Sequence, residues 1–283
     1  MSQVDQVLSQ LLKDPHQEGA DFKGYDLAGI HLGGVHLARA RLDKANMDQA
    51  EMSKVDLSQA NLAEVTLQRA RLKNVDFSGA NLAGARLDNA TLIDCDFRNT
   101  DLENCSLAGV QAMNCDFRGA QLGYANLQAG KIKNCNLSFA NFLYAFLKQI
   151  NIAESQMNGI NARGSDWTGA HLTRVNLVGA VLKYADLNGS TLKNVNLAHA
   201  RMIGADLTDL QCETVMFEDG NLEGANLTYA NLEGANMERA CLLEANLHGT
   251  NLTRANLRDA FLVDANLTQT LTKGANMENA VLR

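Results

Sequence analysis

Residues 219–247 read Asp-Gly-Asn-Leu-Glu-Gly-Ala-Asn-Leu-Thr-Tyr-Ala-Asn-Leu-Glu-Gly-Ala-Asn-Met-Glu-Arg-Ala-Cys-Leu-Leu-Glu-Ala-Asn-Leu. A large apolar residue falls at Leu222, Leu227, Leu232, Met237, Leu242 and Leu247, and Ala precedes all but the first by two places. Asn usually lies between the two. The beat extends outward in both directions without slipping. Of the 53 positions from 22 to 282 taken in steps of five, 48 are Leu, Phe, Met or Ile; the exceptions are Ala112, Ala162, Trp167, Cys212 and Thr272. The positions two residues earlier are small, except at Tyr25, Ile30, Ile150, Ile160 and Leu210. A register this long makes the repeat the first fact about the fold.

A period of five excludes an amphipathic helix. At about 100° per residue, five steps turn roughly 500°, so the Leu positions would spiral around the helix rather than share a face. Small, Asn, large reads instead as in, out, in, the period of a strand three residues long. The next two residues turn a corner, and 18 of the 22 Gly occupy the second of them, where the chain can require positive φ. Each pentapeptide is then one side of a coil. A single coil cannot bury its own Leu; stacked coils bury them as a column.

The Ala60-Asn61-Leu62, Ala80-Asn81-Leu82 and Ala225-Asn226-Leu227 units resemble the pentapeptide repeat proteins, over residues 20–283. The resemblance implies an all-β fold, a right-handed quadrilateral β-helix with four pentapeptides per coil, here about thirteen coils. Cys95, Cys115 and Cys135 recur every twenty residues, as one residue per coil would. At roughly 4.8 Å per coil the expected length is on the order of 60 Å.

Residues 1–19 precede the beat. Val4, Val7, Leu8 and Leu11 follow helical spacing, Ser2 and Asp5 are placed as a capping box, and Pro15 ends the segment. We expect residues 3–13 to form a lid over the first coil, whose strand edge and Leu tops would otherwise be open. The expected organisation is therefore a capping segment, 1–19, and one repeat domain, 20–283. Tyr25 and Ile30 are oversized for their positions and predict a wider first coil. Ile150 and Ile160, set against Ala162 with Trp167 nearby, predict local repacking or a bend, and Leu210 with Cys212 repeats the exchange. Leu262, Leu267, Met277 and Leu282 are expected to present apolar tops, favouring a homodimer through the C-terminal coils.

The formal charge of −7 and the scattered Lys and Arg argue against direct nucleic-acid binding through a basic patch. No stretch is long and apolar enough for a transmembrane helix, and the start lacks a signal-peptide pattern, so a cytoplasmic protein is expected. The dispersed His and the outward carboxylates offer no catalytic or metal-binding arrangement. Zinc at the stacked cysteines is disfavoured because a column sets ligands in a line, not a tetrahedron. No enzyme activity and no cofactor are expected, and a convex column predicts no pocket.

What remains is binding by surface. The resemblance implies a protein-binding or scaffold role. Within the family, the quinolone-resistance members look like duplex DNA and occupy the DNA-binding saddle of a type II topoisomerase, which makes DNA gyrase or topoisomerase IV one partner class. An accessory or effector-associated part of a bacterial secretion system is another reading. This chain lacks the beat-breaking loops and capped C-termini of those DNA mimics. Sorting positions modulo twenty collects Tyr124, Leu143, Tyr144, Val181, Tyr184, Ile203, Cys241, Leu243, Phe261, Val263 and Val281 on one outer flank. A contiguous apolar stripe of this kind marks an interaction surface.

Overall fold

The computed structural model describes residues 3–283. Two compact units divide it, Met1–Asn141 and Phe142–Arg283. Both are parallel β-solenoid. In the first, an α-helix α1 (Gln3–Lys13) precedes strands β1 (His31–Gly33), β2 (Glu51–Ser53), β3 (Arg71–Lys73), β4 (Thr91–Ile93), β5 (Gln111–Met113) and β6 (Lys131–Lys133). The second holds β7 (Asn151–Ala153), β8 (His171–Thr173), β9 (Thr191–Lys193) and β10 (Gln211–Glu213). Within each unit, successive strands pair in parallel at a register of twenty residues, as in Leu32 with Met52 and Leu172 with Leu192. The other sides of each coil pair through single parallel bridges at the same interval, for example Asn61 with Asn81 and Asn226 with Asn246. Twenty residues per coil at five per side is four sides, as the resemblance implied.

Local chemistry explains the shape of a side. Every fifth residue from Gly19 to Asn279 has φ between 51° and 72°. Most corners close with a hydrogen bond from an N–H to the carbonyl three residues back, as in Ala60 to Leu57 at 3.1 Å. That bond with positive φ at the third residue is a type II turn. The outward Asn or Asp supports it: Asp56 Oδ1 accepts from Ser58 N–H at 2.9 Å, and Asn81 Oδ1 from Ala83 N–H at 2.9 Å. A short side chain that bonds the backbone two residues on is why Asn and Asp fill this place.

The expected thirteen coils need correction. Strands three residues long run through about nine turns, from His31 to Glu213. Beyond Glu213 the same side tightens into type II corners, with Ala235 N–H bonded to Leu232 O at 3.0 Å, and the pairing continues as single bridges.

Inside, the large positions are buried through Leu262, including Leu127 and Leu187. Phe77, Phe97 and Phe117 stack on successive coils, with ring centroids 4.8 and 4.7 Å apart. In the last coil the large positions open, as expected for Leu267, Met277 and Leu282. Leu267 and Met277 are half-buried, and Thr272 and Leu282 are exposed, because no further coil lies against them. Leu262 itself is buried, contrary to expectation.

The helix forms where its spacing predicted. Val7 and Leu11 are buried, Val4 and Leu8 half-buried, and Gln3 Oε1 accepts from Asp26 N–H in the first coil at 2.6 Å. The capping box at Ser2 lies outside the described residues. The first coil keeps the ordinary bridge-and-turn pattern despite Tyr25, which is half-buried with its ring edge-on to Phe22 at 5.9 Å. Replacing Val7 and Leu11 together with Asp strips two apolar side chains from the contact and leaves charge in their place. At about 1.5–3 kcal/mol per buried side chain, this is expected to lower the unfolding midpoint and promote aggregation. Thermal melts with light scattering check it; a double variant as stable and monodisperse as the parent would remove the lid role.

Candidate interaction surface

Along its sides the solenoid presents only the corner residue and the two outward positions of each pentapeptide, so a lateral site is built from columns twenty residues apart. In the second unit, the bridges Val181–Arg201, Arg201–Asn221, Asn221–Cys241, Cys241–Phe261 and Phe261–Val281 make one such column. Beside it, Tyr144 N–H bonds Arg163 O and Tyr184 N–H bonds Ile203 O, both at 3.0 Å, which aligns the corner column with its neighbour. The expected flank residues of this unit therefore share one side.

They differ in how much they show. Tyr184 is 60% exposed, Phe261 51%, Tyr144 41% and Val281 38%. Leu143, Val181, Ile203, Leu243, Val263 and Cys241 are only half-exposed. Arg163, Lys183, Arg201 and Glu223 interrupt the stripe, leaving one apolar cluster around Tyr144, Tyr184 and Ile203 and another around Leu243, Phe261 and Val281. Tyr124, 45% exposed, stands on the first unit. On other sides Phe139, Phe146, Met216, Tyr229 and Leu271 are also exposed, each without an exposed large apolar neighbour in its own column.

Three tyrosines share a device that was not foreseen. A Cβ added to Gly164 would collide with Tyr144 Cε1; at Gly204 it would lie 2.8 Å from Tyr184 Cδ1, and at Gly249 2.5 Å from Tyr229 Cδ1. Each ring fills the space left by a glycine one coil later, which fixes it against the solenoid. Arg163 sits 5.9 Å from the Tyr184 ring centroid, in cation–π range.

The expectation of no pocket is corrected in the first unit. A groove of 580 Å³ runs along the outer face of β1–β4, between the column His31–Glu51–Arg71 and the column Gly33–Ser53–Lys73. It is open because Gly33 and Ser53 leave one wall low. Glu51 bridges its own wall, with His31 Nδ1 at 3.2 Å and an Arg71 guanidinium nitrogen at 3.0 Å.

Charge on this fold is arranged for pairing along the stack. Lys23 meets Asp43 at 2.8 Å and Lys193 meets Glu213 at 2.8 Å. Arg239 binds Asp219, Glu238 and Glu218 together, which raises its pKa, chiefly through its hydrogen bond to Asp219. Asp56, Asp76, Asp96 and Asp116 form an acidic column in the first unit. Arg98 and Arg118 offset it, each 2.5 Å from its Asp.

Among the described residues no group of three or more His, Cys, Asp or Glu is arranged to hold a metal ion. No helix among them is long and apolar enough to cross a membrane. No disulfide joins any of the six cysteines, and five of them are buried, Cys241 being half-exposed.

The pattern of pentapeptide repeats in eight copies matches residues 20–59, 131–169, 153–194, 170–209 and 221–259, and a second description, pentapeptide repeat region, matches 65–142. The chain belongs to the pentapeptide repeat family. Solenoids of this family are generally structural or protein-interaction elements rather than catalysts. Among solved structures, the chain is similar to HetL of the cyanobacterium Nostoc sp. strain PCC 7120, described as involved in heterocyst differentiation regulation. The identity is 22%, coverage 100% of this chain and 97% of HetL, and the TM-score 0.32. Full-length QnrB1, described as a plasmid-mediated fluoroquinolone resistance protein, matches at 17% identity over 85% of this chain and 90% of its own, TM-score 0.33. Rfr23 of the cyanobacterium Cyanothece 51142 matches at 31% identity over 42% of this chain and 64% of its own, TM-score 0.21. No curated protein sequence matches the chain.

Proposed function

We propose that this pentapeptide repeat protein is a non-enzymatic, protein-binding scaffold, and that the flank of the second unit carrying Tyr144, Val181, Tyr184, Ile203, Leu243, Phe261, Val263 and Val281 receives the partner. The observation that carries this reading is the alignment of these residues in neighbouring columns, with Tyr144 and Tyr184 held in place over Gly164 and Gly204. Rings already fixed lose little freedom on binding, and Tyr brings apolar area and a hydroxyl together. Tyr124 is the corresponding residue of the first unit. The half-buried Leu267 and Met277 and the exposed Leu282 support a second copy of this chain as one occupant of the last coil. Six cysteines in the thiol form fit a reducing, cytoplasmic setting.

An acidic DNA mimic directed at gyrase or topoisomerase IV has less support. The Asp column is interleaved with Arg98 and Arg118, so its field is weaker than a row of phosphates.

Changing Tyr144, Tyr184, Phe261 and Val263 together to Ser is expected to leave the melting temperature within a few degrees, because surface positions contribute within about ±0.5 kcal/mol each. The same variant is expected to lose the parent's self-association or its captured partner, measured by light scattering and affinity capture. A control variant altered at Met216 and Tyr229, exposed on other sides, keeps both. If the flank variant retains every association of the parent, the flank is not the site.

A further inference from the structure

Cys95, Cys115 and Cys135 occupy the small inward position of one side on three successive coils, next to the bridges Asp96–Asp116 and Asp116–Asn136. All three are buried. Their sulfurs are oriented alike. Cys95 Sγ is 3.4 Å from Ile93 O and 3.5 Å from Leu72 O; Cys115 Sγ is 3.3 Å from Met113 O and 3.6 Å from Leu92 O; Cys135 Sγ is 3.3 Å from Lys133 O. All three face the carbonyl two residues back, and Cys95 and Cys115 also share the one twenty-three residues back. Side chains in one orientation on paired parallel strands are related by the strand spacing, so neighbouring sulfurs are separated by roughly 4.8 Å.

That spacing selects among the things thiols can do. A disulfide needs sulfurs about 2.05 Å apart, which would turn both side chains away from their common orientation. Zinc needs four ligands in a tetrahedron, and none is gathered here. Two metal–thiolate bonds of about 2.3 Å laid end to end span about 4.6 Å, which matches the column without moving the backbone. Soft thiolate ligands favour ions such as Cu(I).

We propose that this thiol column is a binding site for a single soft d10 cation held linearly between two neighbouring sulfurs, with Cys115 one of the pair. Binding replaces two S–H bonds with two metal–sulfur bonds and releases two protons to solvent; nothing is oxidised or reduced. A backbone donor is already present for a neighbouring thiolate, since Cys115 N–H points at Cys135 Sγ from 3.3 Å. With a divalent ion such as Hg(II) the bis-thiolate is neutral, which suits an apolar core.

The test uses the full chain with Cys241→Ser, to remove the half-exposed thiol, titrated separately with Cu(I) and Hg(II) against a competing chelator. One equivalent of at least one ion is expected to bind with the circular dichroism spectrum unchanged. X-ray absorption is expected to show two sulfur neighbours and no nitrogen or oxygen. Adding Cys115→Ser leaves Cys95 and Cys135 two spacings apart, too far for one ion, and affinity should fall on the order of 100-fold or more. Adding Cys105→Ser, on another side, should leave it unchanged. Serine fits this kind of position, as Ser155, Ser165 and Ser190 are buried in it, and a melt of each variant verifies folding. The site is refuted if neither ion binds to the folded chain, if Cys115→Ser binds as tightly as its parent, or if the ion shows three or more neighbours.

Discussion

Phe97→Ala is expected to cost about 3–5 kcal/mol of unfolding free energy, the range for deleting a buried aromatic ring. The upper part of that range applies. Phe97 is wholly buried and stacks on both Phe77 and Phe117, so its removal leaves each outer ring without a partner as well as leaving a cavity. Stacked aromatic pairs contribute about 0.5–1.5 kcal/mol beyond their buried area. The solenoid cannot easily close the gap, because each coil is fixed to its neighbours by backbone hydrogen bonds such as Phe97 N–H to Asp116 O at 2.7 Å. Phe139→Ala is the control. Phe139 is 68% exposed, and its loss should change stability by no more than about 0.5 kcal/mol. Denaturant unfolding of the two variants beside the parent decides the matter; equal, small effects would mean that the aromatic column is not a stability element.

The difference between these two phenylalanines is legible in the sequence. Position 97 falls on the large beat and position 139 on the corner. The beat gives the sides, the in–out–in order and the corners because each is a property of five consecutive residues. What it does not give is anything decided between coils. Tyr144 and Gly164 are twenty residues apart, and their contact follows only once the coil is known to be twenty residues long. The groove beside Gly33 and Ser53 is hidden for the same reason, since it depends on two small residues on successive coils. Nor could the sequence distinguish coils that hold a three-residue strand from those that close every corner with a turn bond. Leu232 and Leu192 occupy the same position in the beat, yet only Leu192 lies in a strand. Positive φ was anticipated at glycine corners, but Thr214 and Phe139 adopt it too. At corners such as Glu154, whose N–H bonds Thr173 O at 2.9 Å, an inter-coil bond holds the residue where its own preference would not. The candidate flank was legible as a set of columns; its division by Arg163, Lys183 and Arg201 into two clusters required knowing which side chains reach the surface.

The Ile160–Ala162 exchange offers the sharpest test of how this core is filled. Ile160 and Ala162 are the two inward residues of one side, and both are wholly buried. In the usual order the first is small and the second large; here the order is reversed. The backbone is undisturbed, with the bridge from Asn161 to Val181 in register and φ at Gly159 and Gly164 ordinary for corners, so the expected bend is absent from the secondary structure and the repacking is in the side chains. Trp167, buried on the next side, fits into this arrangement with its indole N–H on Ser165 Oγ at 2.6 Å. If volume within the side is what matters, the two positions must depend on each other. Ile160→Ala alone is expected to cost about 2–5 kcal/mol through the cavity it opens. Ala162→Leu alone is expected to cost about 1–3 kcal/mol by overfilling a packed site. The double variant restores the usual order, and most of the two costs should disappear, giving a coupling energy in the upper part of the roughly 0.5–3 kcal/mol seen for residues in contact. Chemical denaturation of the four proteins in the cycle measures it. Additive costs would mean that Trp167 and its neighbours, rather than the volume of the side, dictate which residue is large.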